Sequence, residues 1–236
     1  MAYTTIDNPE LYFQTVLYGG NSSTQSITLG GDEDMQPDFV WIKARSDAGE
    51  HALYDSVRGA TKRFDSADNG ATDTVTNGVT AFNSDGFSLG AGGNENSATT
   101  IVAWCWKESA TAGFDMVAYT GDGTDDDSKT ISHSLSAAPN FIMSKCRSQA
   151  GNWQTSSTAL DWDNVLLLDT TAAKAADTQA FGVDGVDPTS SVFTVAASSG
   201  GNHTNIDSAT YIAYVWRSVQ GYSKFGLYKG NANANG

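Results

Sequence analysis

Apolar positions along this chain recur in short runs, roughly four to eight residues long, separated by clusters of Gly, Asn and Asp, a rhythm that predicts strands and tight turns. Phe13–Tyr18 reads as a strand stopped by Gly19-Gly20, and Gln25–Leu29 as a second stopped by Gly30-Gly31. Phe39–Ala44 is the strongest strand of the first half, with aromatic and β-branched residues just after Pro37. Ala52–Asp55 and Arg63–Phe64 read as weaker strands around the loop Arg58–Lys62. Val79–Gly90 reads as a hairpin, with Asp85-Gly86 as its two-residue turn. Thr100–Lys107 sets Ile101, Ala103 and Cys105 on one face and Val102, Trp104 and Trp106 on the other. Both faces are apolar, which predicts a central strand. Met116–Thr120, Thr130–Ser134, Phe141–Lys145, Val165–Leu168, Val192–Ala196 and Tyr211–Arg217 continue the pattern. Thr171–Thr178 is rich in helix formers and predicts one or two helical turns, and Asn8-Pro9-Glu10 predicts a short turn.

The pattern occurs twice. Pro37–Gly49 returns as Pro139–Gly151 at an offset of 102. Ser97-Ala98-Thr99, followed by Ala103 and Trp106-Lys107, returns as Ser208-Ala209-Thr210, followed by Ala213 and Trp216-Arg217. Phe13 through Tyr18-Gly19-Gly20 returns as Phe114 through Tyr119-Thr120-Gly121, and Phe225–Gly230 resembles a third such start. The period is far longer than a solenoid repeat of roughly 20–50 residues and suits a small domain. The expectation is an all-β chain of two tandem β-sandwich repeats, jelly-roll or concanavalin-like, with short turns. The first takes residues 1–110 with an N-terminal arm, and the second residues 111–236. Glu108–Gly113 is a short linker, so the units are expected to form a semi-rigid rod.

Composition sharpens this. The 24 Gly, and 22 Asp against 5 Glu, favour turns over helices. The net charge of −14 argues against nucleic acid, whose phosphates need clustered Lys and Arg. Met1–Pro9 has no basic, apolar leader, and the chain has no run long enough to cross a membrane as a helix. Cys105 and Cys146 occupy non-equivalent places in the repeats, which favours reduced, buried thiols over a disulfide.

Candidate binding chemistry is sparse. Asp122, Asp125, Asp126 and Asp127 crowd one loop and supply hard oxygen ligands of the kind Ca²⁺ needs, or else form a solvated turn. Asp32-Glu33-Asp34 reads as the matching acidic loop of the first repeat. Arg58, Lys62 and Arg63 form the basic cluster, suited to an acidic neighbour or a charged glycan, or to pairing with Asp55, Asp65 or Asp68. Trp41, Trp104, Trp106 and Trp216 lie in strands and read as core. Trp153 and Trp162, beside Asn and Asp residues, are the candidates for stacking a sugar. His51, His133 and His203 are scattered, and no GxSxG or HExxH motif is present, so the sequence reads as non-enzymatic.

The stretches Pro37–Arg45, Asp55–Lys62, Phe82–Gly90 and Ala103–Lys107 are similar to a repeat found in virion proteins of tailed bacteriophages, especially marine cyanophages and pelagiphages. Met1–Asp7 also resembles the start of such proteins, and the similarity covers nearly all of the chain. The resemblance implies a lectin-like β-sandwich and a structural, tail-fibre or surface-adhesion role in a virion, and it carries over no catalytic residues. The partners it implies are other virion proteins, further copies of the chain (a trimer suits a fibre) and a host-surface glycan. The alternatives are a Ca²⁺-assisted carbohydrate-binding module and a capsid decoration or head-fibre protein.

Overall fold

The computed structural model describes residues 4–49, 51–124, 129–197 and 204–231. The chain is all-β, with several antiparallel sheets. The first repeat supplies β1 (Phe13–Gly19), β2 (Gln25–Ile27), β3 (Phe39–Ala44), β4 (Ala52–Asp55), β5 (Lys62–Asp65), β6 (Asp73–Thr74), β7 (Val79–Asn83), β8 (Gly86–Leu89) and β9 (Thr100–Trp106). The second supplies β10 (Phe114–Thr120), β11 (Lys129–Ser132), β12 (Phe141–Cys146), β13 (Gln154–Ser157), β14 (Asn164–Leu167), β15 (Ala175–Ala176), β16 (Val192–Val195) and β17 (Thr210–Trp216).

Two six-stranded sheets have the orders β1-β9-β3-β4-β5-β6 and β10-β17-β12-β13-β14-β15. Matched repeat by repeat, these are the same order, and the register agrees. Trp106 lies opposite Phe13 on one side and Phe39 on the other, and Trp216 lies opposite Phe114 and Phe141. Each large sheet has a small companion, β2-β8-β7 in the first repeat and β11-β16 in the second.

The doubly apolar strands explain the layering. In β3, Val40 and Ile42 pack with Ile27, Val79, Phe87 and Leu89 of the small sheet. Phe39 points the other way, with Leu53 and Phe64, into a cluster shared with Phe114, Met116, Met143, Trp153, Ile212, Tyr214 and Trp216 of the second repeat. β17 mirrors this: Ala213 and Val215 pack with Ile131, Phe193 and Val195, while Ile212, Tyr214 and Trp216 meet the first repeat. The large sheets therefore lie face to face, and each turns its other face to its small sheet. The short linker predicts two bodies in a rod, but the repeats share an interior instead.

Polar bonds fix the junction. The Tyr214 hydroxyl donates to Asp55 Oδ2 at 2.6 Å across the repeats, and the Trp153 indole N–H donates to the carbonyl of Asp65 at 2.8 Å. Lys145 is 1% exposed, and its ammonium donates to the carbonyls of Asn69, Gly70 and Gly151 at 2.9, 2.6 and 2.7 Å. Three carbonyls satisfy the three N–H groups of a lysine, so the first repeat's loop is pinned to the second.

Local differences from the sequence reading have physical causes. The turn of the β7–β8 hairpin is Ser84-Asp85, one residue earlier than expected, and Gly86 (φ +103°) opens β8. A Cβ there would lie 2.0 Å from the carbonyl oxygen of Ile27, so the close approach selects the glycine. Thr171–Thr178 holds no helix: residues 171–174 are irregular and Ala175–Ala176 form β15. Cys105 and Cys146, by contrast, are buried free thiols as expected.

Trp153→Ala is expected to cost about 3–5 kcal/mol, the usual range for a buried aromatic truncation. Because the cluster belongs to both repeats, urea unfolding should remain one transition at a lower midpoint. Two separated midpoints would contradict the shared interior.

Candidate functional site

The equivalent registers place two aromatic rows opposite each other. In the first sheet Phe13, Trp106 and Phe39 stand side by side, with ring centres 4.9 and 5.3 Å apart. In the second sheet Phe114, Trp216 and Phe141 do the same, at 4.8 and 5.5 Å. Cross-strand neighbours on one sheet face approach at such distances. Phe39 joins the rows, 6.0 Å from Phe114 and 6.4 Å from Trp216. Beyond this contact the sheets part into a cleft of about 410 Å³, which Trp41, Tyr12, Tyr222, Phe225 and Leu168 also line. Phe225 lies parallel to Phe141 at 5.7 Å. Lys107 and Ser223 join the polar tips of Tyr12 and Tyr222 in the lining. Such a lining holds apolar groups by burial and offers few hydrogen bonds. Trp41, Trp106 and Trp216 were expected in the core; Trp41 and Trp106 are half-buried on the cleft wall, and Trp216 is nearly covered.

The predicted sugar-stacking residues are not there. Trp153 is fully buried in the interior shared by the repeats, edge-on to Phe64 at 5.2 Å. Trp162 is 4% exposed in the core between the sheets of the second repeat. Neither indole has a free face to stack on a ligand.

Arg58 is also buried. It pairs with Asp55, donates from Nη2 to the carbonyl of Leu53 at 3.0 Å, and lies 4.0 Å over the Phe64 ring. It thus joins the Asp55–Tyr214 junction and is not open to a ligand. Lys62 is half-buried and donates to Thr74 Oγ1 at 2.7 Å, so Arg58 and Lys62 do not converge on one site. Arg63 reaches Glu95 at 3.5 Å and Asp65 at 3.7 Å.

Asp122 accepts hydrogen bonds from Asn205 Nδ2 at 2.9 Å, from the N–H and hydroxyl of Thr124, and from Lys129 at 3.0 Å. The Asn205 and Thr124 bonds lead in holding its carboxyl well below the usual range, with Lys129 adding to them. Both its oxygens are engaged by protein donors. Asp125, Asp126 and Asp127 lie outside the described residues, and no metal-binding cluster occurs among those described. Asp32-Glu33-Asp34 follows β2, whereas Asp122 follows β10, so the two acidic loops are not equivalent places as the sequence suggested.

Residues 8–236 match a domain of unknown function, DUF7483. The chain belongs to this family. The DUF7483 domain spans both repeats and the aromatic cleft between them. No curated protein and no solved structure matches the chain.

One further polar feature of this DUF7483 domain responds to pH. Glu108 in the linker and Asp115 on β10 both accept from the Met116 N–H, at 3.1 and 2.9 Å. Asp115 also accepts from the Ser134 N–H, and the Glu108 N–H donates to Asp38 Oδ2 at 2.9 Å. Burial raises Glu108 to about 7, and the hydrogen bond to Asp115 and the charges of Asp115 and Asp38 add to this. Burial acts to raise Asp115 as well, but hydrogen bonds from Glu108, Ser134 and Met116 outweigh it and lower it. Glu108 is therefore the partner that holds a proton more readily, and Asp115 the one that gives it up.

A raised acid holds more protons folded than unfolded between its ordinary 4.5 and about 7. Its contribution to stability is thus full at low pH and is lost as pH rises through that window. Glu108→Gln keeps a donor to Asp115 at every pH. Its stability relative to the natural chain should rise from pH 5 to pH 8 by roughly 1 kcal/mol, discounted for partial exposure, or about 2–4 °C. An equal difference at both pH values in thermal melts would contradict the raised Glu108.

Proposed function

We propose that this chain is a non-enzymatic structural module of a tailed-phage particle, part of a tail fibre or surface decoration that serves assembly and host attachment. The finer architecture in this reading is two tandem β-sandwich units, each a large sheet with its small companion, joined through the backs of the large sheets. The observation that carries the reading is the aromatic cleft between the repeats. Its walls suit the capture of an apolar side chain from a neighbouring protein. The buried charged groups Asp55, Arg58 and Lys145 are tied into bonds at the junction of the repeats. The resemblance to virion repeats points the same way.

A carbohydrate-binding role has weaker support. Sugar recognition combines an aromatic face with several converging polar groups, and both tryptophans assigned to it are core residues.

Mass spectrometry of purified particles from the phage that encodes this chain should find it in fixed stoichiometry with the other virion proteins. Its absence from purified particles would contradict the proposal. Leu168→Asp, at the cleft rim and 40% exposed, should change stability by no more than about 0.5 kcal/mol yet lower incorporation into particles. Unchanged incorporation would remove the cleft from the assembly role.

A further inference from the structure

A four-residue sequence, Tyr-x-Gly-Asn/Asp, occurs three times: Tyr18–Asn21, Tyr119–Asp122 and Tyr228–Asn231. The first two copies end an edge strand and dock in the same way on the loop before the last strand of their repeat. The Tyr18 hydroxyl donates to the carbonyl of Glu95 at 2.7 Å, and the Tyr119 hydroxyl to that of Thr204 at 2.8 Å. The next loop residue is a fully buried asparagine, Asn96 or Asn205. Its Oδ1 accepts the N–H of Asn21 at 3.1 Å, or of Asp122 at 3.0 Å. The glycine between them donates its N–H to Thr99 or Ala209, at 3.0 and 2.7 Å. A Cβ on Gly20 would lie 1.6 Å from the Ser97 carbonyl oxygen, and one on Gly121 would lie 2.1 Å from that of Ile206. The receptor loop thus demands a glycine, a tyrosine hydroxyl and one backbone N–H in fixed order.

The third copy is presented to solvent. Tyr228 is 95% exposed and Leu227 is 63% exposed. A Cβ on Gly230 would meet nothing within 4 Å, in contrast to its two counterparts. The chain reaches this copy by the route it takes to β10. A bridged turn, Ser109 to Phe114, follows β9, and a bridged turn, Val219 to Ser223, follows β17. Each turn starts three residues after the matching tryptophan, Trp106 or Trp216, and each tyrosine lies five residues beyond Phe13, Phe114 or Ser223. The segment departs from the docked copies at Ser223, where they carry Phe13 and Phe114, and at Gly226, where they carry Val16 and Val117. A glycine weakens a strand, in keeping with residues 224–231 forming no strand and residues 226–231 being exposed.

We propose that Ser223–Asn231 is a docking strand for a further unit of this fold. That unit supplies the buried-asparagine loop and the last strand, and takes its first strand from this chain. Such strand addition gives affinity through main-chain hydrogen bonds and specificity through side-chain pockets. The proposal holds whatever particle or surface the chain serves.

The test is a duplicated chain in which residues 1–231 are followed directly by residues 22–236. The first strand of the second copy can then come only from Ser223–Asn231 of the first. The expected result is two folded copies, with an unfolding enthalpy about twice that of the single chain, since enthalpy scales with folded length. Gly230→Val or Tyr228→Ala at the junction should return the enthalpy to the single-chain value and leave the second copy open to protease. The proposal is overturned if the second copy stays unfolded behind the natural junction, or folds equally well behind Gly230→Val. In the ordinary 236-residue chain both substitutions should leave the melting temperature unchanged within about 1 °C, as expected for exposed positions. A larger drop would show the segment already engaged within its own chain, and would also overturn the proposal.

Discussion

A strand with apolar side chains on both faces has to be covered twice, and β9, β3, β12 and β17 all carry that demand. The small sheets cover one face of each large sheet. The other large sheet covers the second. Phe39, Leu53 and Phe64 on one side, and Met116, Ile212 and Tyr214 on the other, meet in a single cluster. The positions of the buried charges follow from it. Asp55 and Arg58 sit where a tyrosine hydroxyl from the facing sheet can reach them, and Lys145 sits where the first repeat's loop offers carbonyls. A buried charge left without such partners costs several kcal/mol, so these bonds fix how one sheet sits on the other as much as they hold the sheets together.

The cleft arises from the same packing. Copied register puts a Phe-Trp-Phe row on each sheet. The rows touch at Phe39, and the space beyond that contact is left to aromatic walls. A repeat packed against its own copy thus makes an apolar hollow from residues that each repeat carries for its own sheet.

Much of the fold was legible in the sequence. Phe39–Ala44 and Ala52–Asp55 stand as expected, and most other strands agree within a residue or two, because apolar runs and Gly stops are local signals. β13, Gln154–Ser157, was missed because its residues are polar. Its hydroxyls are satisfied by backbone, Thr155 on Leu166 at 2.8 Å and Ser156 on Asn164 at 2.6 Å, which lets a polar strand be buried. The site was far less legible. Trp153 and Trp162 sit among polar neighbours in sequence, yet their partners come from distant segments: Trp153 is held by Phe64 and Asp65 of the other repeat. Arg58 illustrates the opposite case, since pairing with Asp55 was among the sequence alternatives and is what the structure shows. The cleft had a signal that was available, the recurrence of aromatic residues at equal register in both repeats, but its meaning depends on knowing that the two sheets face each other.

The central claim is that the repeats form one cooperative body through the backs of their large sheets. Native-state hydrogen exchange on the amides of β9 and β17 tests it most directly, since each is an interior strand paired on both sides in its sheet. One body predicts that both sets exchange only through global unfolding, with the same free energy. Slow amides in one repeat that open through a separate event, several kcal/mol below the other repeat's, would contradict the account.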